Sequence, residues 1–292
     1  MPSPAAPLLV ADDLRIDVDD VPSVDGLAFA TRTDRAIVLG APRPLFEAVC
    51  GLRRVVRGKL DVAGRPAAEA ARANGIAGVA LDPPLPPKWT PLEYVTWSAR
   101  LAGMGATAAK ARAKDVLARL DLGSTIATPL SRLPVGVRRA TVFAAALATD
   151  APVVVLEDPL DGLSEEVARI CAQAFVAALE DRAWIVFASR LQITSPFALA
   201  AREALVVSPS RLERHVAPAE LGAPSRKFVL RMQGEPEELA RKLEARGAKL
   251  ETIGAQATLD LGAELRSSEF LGMCDEARVT IVEMLPLPAL PG

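Results

Sequence analysis

Two stretches carry residues whose types and spacing bear on chemistry. In "PVVVLEDP", Pro152 to Pro159, the carboxylates of Glu157 and Asp158 stand side by side at the end of an apolar run. That placement suits a magnesium ion, a positioned water or a set of loop amides. In "AIVLGAPRPLFEAVCGL", Ala36 to Leu52, an apolar strand runs through Gly40 into a helical pattern, the layout of a phosphate-binding loop. Such a loop needs G-x-x-x-x-G-K-[ST], because successive backbone N–H groups wrap the phosphates, the lysine neutralises charge and the hydroxyl holds magnesium. From Gly40 the chain reads "GAPRPLFE", without the second glycine, the lysine or the hydroxyl. Pro42 and Pro44 have no N–H to offer where donors do the binding. Arg43 is the cation left to attract an anion, and a plain strand-to-helix turn is the simpler reading.

The elements that must position these residues are legible from hydrophobic periodicity. "PLLVADDLRIDV" and "GLAFATRTDRAIVLG" cluster apolar residues as strands do, and "GKLDVAGRP" reads as a short hairpin-like return. "TPLEYVTWSARLAG" opens a helix with Thr90 as N-cap, Pro91 at the first helical position and Glu93 three residues on, a capping box. A second helix follows at "TAAKARAKDVLARLDL". A long one, from about Gly136 to Ala148, feeds "PVVVLE", whose unbroken apolar run marks a strand buried on both faces. Helix "SEEVARICAQAFVAALE" and strand "AWIVFAS" complete a strand–helix–strand unit, which implies a parallel sheet covered by helices.

The polar, proline-bearing stretch "SPSRLERHVAPAELGAPS" reads as a linker and contains His215, for which no catalytic role is expected. Beyond it the pattern is βαββαβ, a ferredoxin-like order. The expected domains are 1–208, with a helical insertion over about 86–135, a linker at 209–225, and 226–292, ending in a loose "PLPALPG". Ser131 is expected as an N-cap, and Arg138 and Arg139 as a solvated or salt-bridged helix face.

Composition narrows the function classes. Of 292 residues, 50% are apolar and 24% charged, which is globular rather than disordered. A net charge of -2 gives no electrostatic footprint for nucleic acid. Cys50, Cys171 and Cys274 have no metal-ligand spacing and read as reduced thiols. The amino terminus turns acidic before a signal-peptide core forms, and no run reaches the roughly 18 apolar residues that span a bilayer. A soluble, cytoplasmic chain is the expectation.

In this order the features resemble the nucleotide-binding subunit of an ABC transporter, more narrowly the ABC-2 exporter type, whose ATPase carries a small carboxy-terminal domain. "LSRLPVGVRRATVFAAALATDAPVVVLEDPLDGLSEE" is similar to the family's signature loop, helix, Walker B strand and D-loop in continuous register. Ser131 matches the signature serine, but Arg132, Leu133 and Pro134 replace two glycines and a glutamine. Glu157 and Asp158 invert the family's aspartate–glutamate pair, leaving the shorter acid where reach to an in-line water counts. Ser164 stands at the D-loop aspartate, Leu81 at the Q-loop glutamine and Arg190 at the switch histidine. No aromatic residue lies between Leu14 and Leu27 to stack on adenine.

The resemblance therefore implies an α/β, ABC-type P-loop NTPase-like fold, a mixed sheet with a helical insertion, followed by a ferredoxin-like α+β domain. It implies a pseudo-ATPase with a degenerate Walker A, no catalytic residue, no metal site and no cofactor, ATP and magnesium binding weakly or not at all. The implied partners are another ABC-type ATPase subunit, paired head to tail, and an ABC-2 type integral membrane permease. Nucleic acid is not among them. Trp89, Tyr94 and Trp97 then face the permease, with core packing as the alternative. The chain would be peripheral on the inner face of the membrane through those partners. The rival implication is a weak or partner-activated ATPase that uses Arg43, Glu157 and Asp158.

Overall fold

The computed structural model describes residues 6–41, 43–222, 227–234, 236–253, 256–262, 265 and 267–286. Pro42, the end of the expected linker at 223–225 and the tail from 287 lie outside the described residues. The chain divides into two compact units, Met1–Gly222 and Ala223–Gly292.

The first unit opens with β1 (Leu9–Val18) and β2 (Val21–Ala30), joined through Asp19 and Asp20 at φ of 50° and 63°. Two successive positive φ values give the turn whose twist matches paired antiparallel strands. β3 (Arg35–Leu39) then leads to α1 (Arg43–Val49), followed by β4 (Arg57–Val62), β5 (Arg65–Pro66), α2 (Ala67–Arg72) and β6 (Ile76–Val79). A helical region follows, with α3 (Pro91–Leu101) and α4 (Ala106–Arg119), before α5 (Val135–Ala148) and β7 (Val153–Glu157). The capping box of α3 is present in both directions: Thr90 Oγ accepts the Glu93 N–H, and the Glu93 carboxylate accepts the Thr90 N–H. α6 (Glu165–Ala178), β8 (Ala183–Ala188), α7 (Pro196–Ala200), β9 (Glu203–Val207) and β10 (Leu212–Val216) complete the unit.

Two sheets form. One has the antiparallel order β2-β1-β4-β5. The other runs β10-β9-β3-β8-β7-β6, parallel throughout except for β10. All five residues of β7 are buried, as a strand between two parallel neighbours and two covered faces must be. Side-chain alternation divides the core. Ile37, Val154, Leu156 and Val186 pack with α5 and α6, whereas Val38, Val153, Val155 and Phe187 pack on the other face with α1, β1 and β2. α5 is apolar nearly all round and correspondingly enclosed, with Phe143 stacked on Phe175 of α6 at 4.1 Å between ring centroids.

Three expectations are corrected here. The segment read as linker contains β10, which pairs antiparallel with β9 from Leu212 to Val216. His215 accordingly lies in a sheet, its Nε2 2.5 Å from Oε2 of Glu203. The position before α5 is Pro134 and not Ser131, which sits in a single 3₁₀ turn, Leu130–Arg132.

The second unit follows the order β11 (Lys227–Gln233), α8 (Pro236–Glu244), β12 (Lys249–Ile253), β13 (Gln256–Asp260), α9 (Ser267–Glu276) and β14 (Thr280–Pro286). Its sheet runs β12-β13-β11-β14 with antiparallel pairs. Leu230, Leu239, Leu243, Leu259 and Phe270 form its own core.

Candidate functional site

β3 ends at Leu39 and the chain turns at Gly40, whose φ of 74° and clearance exclude a side chain: a Cβ there would stand 2.6 Å from the Val207 carbonyl oxygen. The turn delivers Arg43 as the first residue of α1, a helix of seven residues. Its guanidinium is half-exposed but already paired. Arg43 Nε lies 3.4 Å from Glu47 Oε1 and 3.4 Å from Glu157 Oε1. Glu157 is nearly enclosed, at 9% side-chain exposure, and its second oxygen accepts the Leu81 N–H at 3.0 Å. Leu81, expected at the glutamine position, thus enters the site through its backbone. Glu47 is held in turn by Arg53 at 2.7 Å.

Burial first, then the carboxylates of Glu157 and Glu47, push the Cys50 thiol up to about 12. Asp158 points elsewhere: its Oδ1 accepts the Ser189 N–H at 2.7 Å and the Ser189 hydroxyl at 3.1 Å, tying the end of β7 to the end of β8. Both carboxylates are therefore occupied with loop amides. Arg190 is 86% exposed and pairs with Asp161 at 3.2 Å. Ser164 occupies the N-cap position of α6 without a side-chain capping bond.

Arg139, expected on a solvated or salt-bridged face, is salt-bridged and buried. It is only 6% exposed, and its guanidinium donates to the carbonyl oxygens of Asp158 and Pro159 at 3.3 Å and of Asp161 at 2.9 Å, with the Asp82 carboxylate 3.6 Å away. Nothing local announces these partners. One signal does exist in the sequence: a charged residue in a helix that is apolar all round must find buried acceptors.

Two clefts flank this network. One, of about 370 Å³, is lined by Leu81, Asp82, Leu85, Ser131, Arg138 and Arg139. The other, of about 660 Å³, opens between Asp158, Asp161, Glu165, Ser189 and Arg190 over Phe197. Gly40, Arg43 and Glu157 line neither. Trp89, Tyr94 and Trp97 cluster by ring contacts of 5.8 and 6.3 Å, with Trp97 exposed and Tyr94 packed against the core.

The architecture matches solved proteins closely. The structure of cbiO1 from Clostridium perfringens, part of the ABC transporter complex cbiONQ, superposes with a TM-score of 0.64 at 17% identity, over 82% of this chain and 96% of that one. The fold is that of an ATP-binding cassette. A second structure, of an ATP-binding subunit of an ABC transporter, gives a TM-score of 0.61 at 14% identity over 73% of this chain and 91% of its own.

In sequence the likeness is partial. The chain is 29% identical over 119 residues to the taurine import ATP-binding protein TauB of Burkholderia pseudomallei, in strains 1710b and K96243. That match takes in 41% of this chain and 45% of the relative, so the chain spans less than half the length of the curated relatives it matches. No family model matches it. Among the described residues, no helix is long and apolar enough to cross a membrane.

Around the glycine turn the charged groups are already engaged with one another. The cation nearest the glycine turn is already shared by two carboxylates, the residue after it is a proline, and Glu157 spends one oxygen on an amide and the other on Arg43.

Proposed function

We propose that this chain is a catalytically silent ATP-binding-cassette subunit, structural or regulatory in role, that pairs with an active ATPase subunit, an ABC-2 type permease or both. The reading is supported by the cassette fold and carried by one observation, the Arg43–Glu157 ion pair. The charges that a magnesium triphosphate would have to satisfy are satisfied within the protein, and a ligand must first separate them. A solved neighbour is described as part of a transporter complex, and that supports a partnered role for this chain. Such a subunit would lie on the inner face of the membrane through its permease, with Trp89, Tyr94 and Trp97 as the contact. The β12-β13-β11-β14 order supports a ferredoxin-like second unit.

A second reading has its own observation. The curated relatives are named as ATP-binding proteins, and both Glu157 and Asp158 remain at the end of β7. These favour a weak or partner-activated ATP-binding subunit. Phosphate release separates the two. The silent reading predicts that Glu157→Gln changes no rate: the chain alone stays at background, and with a co-purified ATPase partner the rate is the partner's own in both. A rate that rises with the partner and falls in Glu157→Gln would establish the second reading.

A further inference from the structure

The stretch from Leu81 to Thr90, which joins β6 to the helical region, contains Pro83, Pro84, Pro86 and Pro87 and so offers few N–H groups for secondary structure. It is nonetheless held at both ends. At its start, Leu81 N–H donates to Glu157, and the next residue, Asp82, faces the Arg139 guanidinium at 3.6 Å. At its end, Trp89 and Pro87 accept the N–H groups of Leu130 and Ser131 at 2.8 and 3.1 Å. Arg139 also gathers the loop after β7 through its three carbonyl acceptors. Glu157 gathers α1 through Arg43.

We propose that Glu157 and Arg139 form a built-in strap that fixes the 81–90 segment, and with it α3, onto the sheet without any nucleotide. Each charge in it is compensated inside the chain: Glu157 by Arg43, and Arg139 by Asp82 and carbonyl dipoles. Neither needs an external ion to hold its partner. The elements joined by the strap lie far apart in sequence, so fixing them at two adjacent residues, Leu81 and Asp82, sets the orientation of the following segment. The strap deepens the silent-cassette reading, on which its meaning rests, by making the arrangement constitutive rather than ligand-gated.

Amide hydrogen exchange on the full chain, followed by mass spectrometry, tests it. In Glu157→Ala the Leu81 amide is expected to exchange about tenfold faster or more, beyond any change shared with β3 and β8. Asp82 is 80% exposed, so Asp82→Ala leaves the core intact even if the first variant fails to fold. It is expected to speed exchange in peptides covering 81–90 and 158–163 about threefold. Millimolar Mg-ATP is expected to leave 81–90 unchanged in the unaltered chain. The strap is overturned if Asp82→Ala leaves both peptides at the original rate, or if Mg-ATP slows 81–90. Calorimetric ATP binding with 81–90 unmoved would sink the silent reading alone and leave the strap standing.

Discussion

Arg43 and Glu157 face each other at 3.4 Å across the mouth of the glycine turn, one on α1 and the other at the end of β7. The pair is unequal: Arg43 is 57% exposed and Glu157 is 9% exposed. Water can solvate the arginine if its partner is lost, but the carboxylate would be left with a single amide donor.

That asymmetry predicts the cost of breaking it. Arg43→Ala should destabilise the first unit by about 1 kcal/mol, a value already discounted for the exposure of the guanidinium. Glu157→Ala should cost about 2 kcal/mol, because the part-buried Leu81 N–H loses its acceptor as well. Urea unfolding followed by tryptophan fluorescence reports on this unit, since Trp89, Trp97 and Trp184 all lie in it.

Arg139 is the more costly residue to replace. Arg139→Met leaves three loop carbonyls short of a donor and should cost about 3 kcal/mol in the same assay. Arg139→Lys should recover less than half of that, because an ammonium cannot reproduce the planar fork. Equal stability of Arg139→Lys and the unaltered chain would mean the fork geometry contributes nothing.

Acid sensitivity should trace to Glu203. Burial pushes its carboxyl up, but hydrogen bonds from the Thr33 hydroxyl, His215 and the amides of Arg32 and Thr33 together outweigh burial and hold it below its ordinary 4.5. A depressed folded value means the unfolded chain binds the proton more readily. The stabilisation is therefore full well above pH 4.5 and is lost as pH falls through the folded value. Glu203→Gln should flatten the dependence of the urea midpoint on pH below about 5. An unchanged slope would remove Glu203 from the account.

Gly40 should tolerate no side chain. Gly40→Ala combines a positive φ of 74° with a Cβ 2.6 Å from the Val207 carbonyl oxygen, and should cost about 2 kcal/mol or more by denaturant titration.

Much of the fold is legible because its elements obey local rules. The box at Thr90 and Glu93, the enclosed run of β7 and the alternation of α6 with β8 each follow from residues within a few positions of one another. β10 was not legible: "LERHV" is half-buried at every position, as an edge strand with one neighbour is, so it shows no apolar period. Its histidine owes its environment to Glu203, twelve residues away. The site divides in the same way. Gly40, Arg43, Glu157 and Asp158 were found by type and spacing, whereas Asp82 and Arg139 are defined by partners that only the folded chain brings near.

The central claim is that internal charges stand where a nucleotide's would. Isothermal titration of Mg-ATP into the full chain tests it most directly. No saturable heat corresponding to a dissociation constant below about 100 μM is expected, in the chain or in Arg43→Ala. A saturable site tighter than that, abolished in Arg43→Ala, would contradict it.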